Sequence, residues 1–159
     1  MSLDQQVYRQ AMGRFATGVT VITAVDDGVP FGMTANSMTS VSLNPTLLLV
    51  SFIRGSATLT AVKNHQHFGV SVLTDAQEEV SSRFASKSGP QFEGLDYVTG
   101  PHGVPLFADD LAHFICKLDK VVDGGDHEVV FGEVLECAVG KGEPLLFYQG
   151  KYRGIASLG

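Results

Sequence analysis

The sequence predicts a mainly β protein, an antiparallel barrel with a few flanking helices, formed as one domain over residues 1–159. Three observations predict it. Short β-branched or apolar runs recur at close spacing, some of them separated by turn pairs such as Asp27-Gly28 and Gly124-Gly125. Helical periodicity is confined to a few isolated stretches, without the regular β-α-β alternation of a parallel sheet. Finally, 159 residues that are 44% hydrophobic and 18% charged can bury one core without disulfide staples.

Taken in order, Asp4 caps a helix to about Phe15, in which Val7, Tyr8, Ala11, Met12 and Phe15 recur at helical spacing. That face is expected to pack on the core. Gly18 opens the strand Val19 to Val25, and Asp27-Gly28 turns the chain back into Val29 to Thr34. After Pro45, the unbroken apolar run Leu47 to Ile53 predicts a central strand buried on both faces. Ser56 caps a short helix to about Asn64, and His67 to Leu73 is the next strand. Asp75, with Glu78 as its capping-box partner, starts a helix whose apolar side is Val80 and Phe84. From Ala85 to Pro105 only Leu95 to Val98 is apolar, which predicts a long surface excursion of the kind that covers a site or meets a partner. Leu111 to Val122 and Glu128 to Val139 are two further strands, followed by Leu145 to Tyr148 and a short Lys151 to Ile155 end.

Charge and cysteine usage narrow the function classes. A formal charge of −6 argues against a nucleic acid or an anionic membrane as partner, since both need a basic face. Cys116 and Cys137 lie in strand-like runs with no Cys-x-x-Cys pairing, so two reduced, buried thiols and a cytoplasmic location are expected. The start, Met-Ser-Leu-Asp-Gln-Gln, has no signal-peptide pattern, and no run reaches the ~20 apolar residues that cross a bilayer.

The candidate site begins with Gly32 to Ser42, a polar ribbon between two apolar segments. Thr34, Asn36, Ser37, Thr39, Ser40 and Ser42 offer neutral donors and acceptors suited to phosphate oxygens and heteroaromatic edges, although a surface loop uses the same residues for turns. Ser51, Ser56 and Thr58 extend the hydroxyl theme to a strand end and a helix start, where anions bind. Arg83 and Lys87 can add positive charge. Gly125-Asp126-His127 places a histidine next to flexible glycines at a strand end, which is also an ordinary turn composition. His65 and His67 lack a third ligand, so no metal is expected, and neither cysteine nor any serine stands in a nucleophile motif. Neither a dinucleotide fingerprint nor a Walker loop is present. Together these residues outline a site for a phosphorylated planar ring without naming it.

The ordered set Ala11-Met-Gly-Arg-Phe-Ala-Thr-Gly-Val-Thr-Val-Ile-Thr, Gly32-Met-Thr-Ala-Asn-Ser, Ser40-Val-Ser-Leu-Asn-Pro, Arg83-Phe-Ala and Gly125-Asp-His with Gly132-Glu-Val resembles the flavin reductase family over nearly the whole chain. The resemblance implies a Greek-key-like FMN-binding split barrel, a homodimer, FMN or FAD as flavin, and NADH or NADPH as hydride donor. It also implies a flavin-dependent monooxygenase as the consumer of reduced flavin. Carried over by position, it implies flavin contacts at Met33, Thr34, Ala35, Asn36, Ser37, Ser51, Phe52, Ser56, Ala57 and Thr58, with Arg83, Phe84 and Lys87 as further contacts. Gly125, Asp126 and His127 are implied beside the nicotinamide, with His127 as the catalytic residue. Pro45-Thr46 stands where the family often has two prolines. A pyridoxamine-phosphate-oxidase-like flavin oxidase and a non-catalytic flavin or haem carrier are the competing expectations.

Overall fold

In a computed structural model the described residues are 2–87 and 91–158. Helix α1 (Gln5–Met12) leads into β1 (Thr17–Gly18), β2 (Thr20–Asp26), β3 (Val29–Ala35), β4 (Thr39–Leu43) and β5 (Thr46–Ile53). Helix α2 (Ala57–His65), β6 (His67–Val72) and α3 (Glu78–Ala85) follow. The chain then forms β7 (Tyr97–Thr99), β8 (Pro105–Phe107), β9 (Ala112–Gly124), β10 (His127–Val139), β11 (Leu146–Tyr148) and β12 (Lys151–Arg153).

Seven strands make one antiparallel sheet in the order β3-β2-β6-β9-β10-β5-β4. The β2–β3 turn is the one the sequence indicates: Asp27 and Gly28 both have positive φ, 48° and 77°, the twist-matched hairpin geometry. Strands β3 and β4 stand at opposite ends of the order without a ladder between them, so the barrel is split there. The gap is bridged by a side chain. Ser37, on the link from β3 to β4, donates its hydroxyl to the Ser51 carbonyl at 3.0 Å and accepts from the Ser51 amide at 3.1 Å.

Strand alternation sorts the core. Ile22, Ala24, Leu48, Val50, Phe52, Phe68, Val70, Cys116 and Val130 pack with Leu59, Ala61 and Val62 of α2, which therefore fills the barrel interior. Val19, Val21, Leu73, Phe84, Phe107 and Leu145 form a second cluster, in which α3 is seated on the barrel's outer face. Each of these aliphatic or aromatic side chains contributes about 1.5–3 kcal/mol by leaving water. The close seating of α3 requires Gly32, where a Cβ would lie 2.6 Å from the Phe84 ring.

Several expectations are corrected. Helix α1 buries none of its residues, and Val7, Tyr8, Met12 and Phe15 are 51–72% exposed. Periodicity reveals an apolar face but not what covers it. Strand β5 is next to the sheet edge and alternates in burial, so the unbroken apolar run does not mark a central strand. Thr74, one residue earlier than expected, heads the capping box, with Gln77 as its partner through a 3-10 turn over Asp75–Gln77. The Ala85–Pro105 stretch is no mere surface loop: β7 pairs with β8, and Val104, Leu106 and Phe107 beside it are buried. Its Ser88-Gly89-Pro90 portion lies outside the described residues. Cys116 is buried as expected, but Cys137 is exposed.

Candidate functional site

Strand β5 organises the candidate residues. Its pairing with β10 places Ile53 opposite His127, and the Ser37–Ser51 bonds hold the polar ribbon at its other edge. Just beyond its end, Ser56 caps α2 by accepting the Leu59 amide at 3.3 Å. No acidic residue occupies the first turn of α2, so the amides of Ala57 and Thr58 and the positive helix end favour an anion. The ribbon Met33–Ser37, the stretch Ser51–Thr58 and the turn Gly125–His127 are thereby brought together around one strand.

The hydroxyls of the ribbon are already engaged. Thr34 donates to the Ser81 carbonyl of α3 at 2.6 Å, Thr20 donates to the Ala35 carbonyl at 2.6 Å, and Ser37 is committed to Ser51. What the ribbon can offer a ligand is therefore its main chain and the exposed Asn36 amide. Phe52 and Phe84 are 0% and 3% exposed and serve the core. Arg83 donates to the Glu93 carbonyl at 2.6 Å and meets Glu79 at 3.3 Å, so it ties α3 to the following segment, while Lys87 is exposed.

Beside the ribbon lies a pocket of about 270 Å³, lined by Val19, Thr34, Asn36, Ala85, Phe147 and Tyr152. Its apolar walls and neutral polar edge fit a flat heteroaromatic ring, and its volume is near the lower end of small-molecule clefts, about 300–1,000 Å³. Phe147 and Tyr152 belong to the β11–β12 hairpin, and the Tyr152 hydroxyl lies 2.7 Å from Ser81 Oγ. Sequence reasoning did not bring this hairpin to the ribbon, since no local pattern announces a contact across so much chain.

Arg54 is the other residue that reasoning missed. Its side chain donates to the Gly125 carbonyl at 3.1–3.2 Å and to the His127 carbonyl at 3.3 Å, and it also bonds Asp123. Its amide donates to the Asp126 carbonyl at 3.1 Å. The turn is thus clamped from β5. Within the turn, His127 Nδ1 lies 2.7 Å from Asp126 Oδ1. That hydrogen bond from the ring, helped by the charges of His127 and Arg9, holds the Asp126 carboxyl below the usual carboxylate range. With Asp126 a carboxylate, Nδ1 carries a proton, and in the neutral form of the half-exposed ring Nε2 is the acceptor.

The histidine pair takes no part in this site. His67 stacks on His102 with ring centres 3.9 Å apart, and among the described residues no three His, Cys, Asp or Glu side chains converge as metal ligands.

A split barrel whose polar ribbon, helix start and Gly-Asp-His turn meet at one strand has the arrangement that the resemblance to flavin reductases implies. Comparison with known proteins agrees: the family described as flavin reductase like domain matches residues 12–156. The reductase subunit of a flavin-dependent monooxygenase from Rhodococcus jostii is 40% identical over 97% of this chain and 80% of its own length. An FMN reductase (NADH) from Agrobacterium fabrum is 41% identical over 94% of this chain and 85% of its own. Among solved structures, an NADH:FAD oxidoreductase from Streptomyces globisporus, in complex with NAD and FAD fragments, superposes with a TM-score of 0.92 at 38% identity, covering 98% of both chains. The chain belongs to the flavin reductase family.

Proposed function

We propose that the protein is an NAD(P)H:flavin oxidoreductase that draws hydride from NADH, reduces FMN or FAD, and releases the reduced flavin to a cytoplasmic flavin-dependent monooxygenase. The observation that carries the reading is the convergence of ribbon, α2 start and Gly125–His127 turn on β5. NADH as donor is supported by the Agrobacterium and Streptomyces relatives, and the monooxygenase partner by the Rhodococcus subunit.

The flavin, when bound, supplies the electron-accepting chemistry. The protein's part is placement. Main-chain groups of Met33–Ser37 and the Asn36 amide hold the ring edge, and the pocket wall of Val19, Ala85 and Phe147 excludes water from it. Amides of Ala57 and Thr58, with the Ser56 hydroxyl, hold the phosphate at the α2 start. His127 presents Nε2 to the nicotinamide carboxamide, oriented by Asp126 and by the Arg54 clamp.

Homodimerisation is supported by the exposed apolar positions on α1, at Leu43 (93%) and at Val139 (89%), apolar surface that a second copy would cover. The test is anaerobic absorbance with each flavin and each nicotinamide nucleotide. Stoichiometric bleaching of free flavin by NADH is expected. A bound chromophore that no nicotinamide bleaches would refute reductase activity, and sedimentation as a monomer would refute the dimer.

A further inference from the structure

A second cleft is larger than the one at the ribbon. It lies between α1 and the Gln149-Gly150 turn that joins β11 to β12, has a volume of about 510 Å³, and is lined by Gln6, Arg9, Gln10 and Arg14 on one side and that turn on the other. No carboxylate lines it. In a chain of charge −6 this is a local excess of positive charge. Arg54 and Arg83 each meet a carboxylate, whereas neither Arg9 nor Arg14 has such an ion pair among the described residues.

The cleft is also built. The Gln149 amide N–H donates to the Gly13 carbonyl at 2.9 Å, fixing the turn to the end of α1. The Gln149 side-chain carbonyl, turned toward Arg14, accepts from its Nη1 and Nε at 3.2 Å each. This aims the guanidinium and leaves the Gln149 NH2 as a further donor. Gln149 takes the left-handed conformation, φ 51°, at a turn position that ordinarily selects Asn, Asp or Gly. Two guanidinium groups with amide donors and no acid in the lining are the donor set for a diphosphate, which arginine binds through paired N–H groups.

Position connects the cleft to the turn at His127. The charge of Arg9 contributes to holding down the Asp126 carboxyl. The β11–β12 hairpin joins the cleft to the ribbon pocket: Phe147 and Tyr152 on its strands line that pocket, and its Gln149-Gly150 turn lines this cleft. One ribose separates a nicotinamide ring from its pyrophosphate, so a dinucleotide whose ring lies at the His127 turn needs an anion site close by.

We propose that the cleft between α1 and the Gln149-Gly150 turn is an anion subsite for the pyrophosphate of the nicotinamide dinucleotide, held by Arg9 and Arg14. It rests on the reading of the protein as a nicotinamide-dependent flavin reductase with His127 at the nicotinamide end. Arg9→Gln and Arg14→Gln are each expected to raise KM for NADH and for NADPH on the order of tenfold, with kcat and the flavin KM within about twofold. Inorganic pyrophosphate is expected to compete with NADH in the wild type and not in the double variant, and the double Lys variant to recover most of the affinity. Circular dichroism and melting curves establish that each variant is folded.

The outcomes separate cleanly. A wild type that oxidises neither nucleotide in the presence of flavin overturns the underlying reading and the subsite with it. An active wild type whose R9Q/R14Q variant keeps its KM for both nucleotides overturns the subsite alone. A KM rise confined to NADPH assigns the arginines to the 2′-phosphate and overturns the pyrophosphate assignment. An equal rise in the flavin KM shows a general disturbance and overturns it as well.

Discussion

Replacing Arg54 by Ala removes side-chain bonds to the carbonyls of Gly125 and His127 and to the Asp123 carboxylate, all from a side chain 47% exposed. Glu128, also 3.8 Å from Arg54, keeps Lys63 at 2.9 Å on both oxygens, so no buried charge is orphaned. Exposed ion pairs contribute about 0–1 kcal/mol, and hydrogen bonds to a partly solvated cation fall in the lower part of their range. The loss in stability is therefore about 1 kcal/mol, a fall in Tm of roughly 2–4 °C for a chain of this size. The effect on function should be larger in kind. The turn keeps its strand pairing and the Arg54 amide bond to Asp126 but loses the guanidinium clamp, so the His127 ring samples positions from which the nicotinamide is held less well. KM for NADH, measured by steady-state oxidation at saturating flavin, is expected to rise about five- to tenfold, equivalent to about 1–1.4 kcal/mol. The flavin KM at saturating NADH should stay within twofold. Arg54→Lys keeps the charge near Asp123 but loses the fork that spans both carbonyls, so it should recover stability more than KM. An unchanged KM for NADH beside the expected fall in Tm would refute the positioning role.

Three further outcomes follow from burial and packing. Desolvation lowers the pKa of His67 below its ordinary 6.5, so the unfolded chain takes up a proton that the folded chain resists. Its contribution to stability is full above about pH 6.5 and is lost as pH falls from there through the folded value. His67→Phe, which preserves a ring against His102, is expected to flatten the decline of Tm between pH 7 and 5, and parallel declines in both proteins would reject this. Burial pushes the Cys116 thiol up to about 12, while Cys137 is exposed, so one thiol per native chain should react with a chromogenic disulfide at pH 8 and two after denaturation. Two fast native thiols would show that β9 is not sealed. A Cβ at Gly132 would lie 2.5 Å from Phe68 Cζ and 2.9 Å from Cys116 Cβ, both in the core, so Gly132→Ala should cost about 1–3 kcal/mol in chemical denaturation. An unchanged midpoint would mean that the barrel interior yields more readily than its burial indicates.

What was legible in the sequence was local. Asp27-Gly28 names its own turn, because two residues must take positive φ, and Ser56 names its helix start, because the orphan amides there need an acceptor. The ribbon was recognisable from the density of hydroxyls between apolar runs. Its use of them was not. Thr34 and Ser37 look alike as donors in a string of letters, yet one faces α3 and the other crosses the barrel split to Ser51. The outward face of α1 and the place of β5 depend on partners that periodicity does not specify. Arg54 was invisible for the same reason: its side-chain acceptors lie 69 to 73 residues away, and only the register of β5 against β10 brings them within reach.

That register also explains how a fold with no nucleophile at its site can serve hydride transfer. Such a reaction needs two rings held face to face near 3–3.5 Å, so the tolerance on relative placement is tighter than on either site alone. Polar loops anchored separately would add their fluctuations. Here both are referred to one strand: Ser51 fixes the ribbon through its amide and carbonyl, and Arg54 fixes the histidine turn, three residues further on and roughly 10 Å along β5. Between and beside them Leu48, Val50 and Phe52 are 0–3% exposed, which gives the strand a rotamer-locked inner face. The two proposed sites therefore move with the core rather than against it. Errors in their separation are limited by the dihedrals of one short segment paired along β10, and this shared reference is what would let a surface-exposed turn contribute to a distance-critical step.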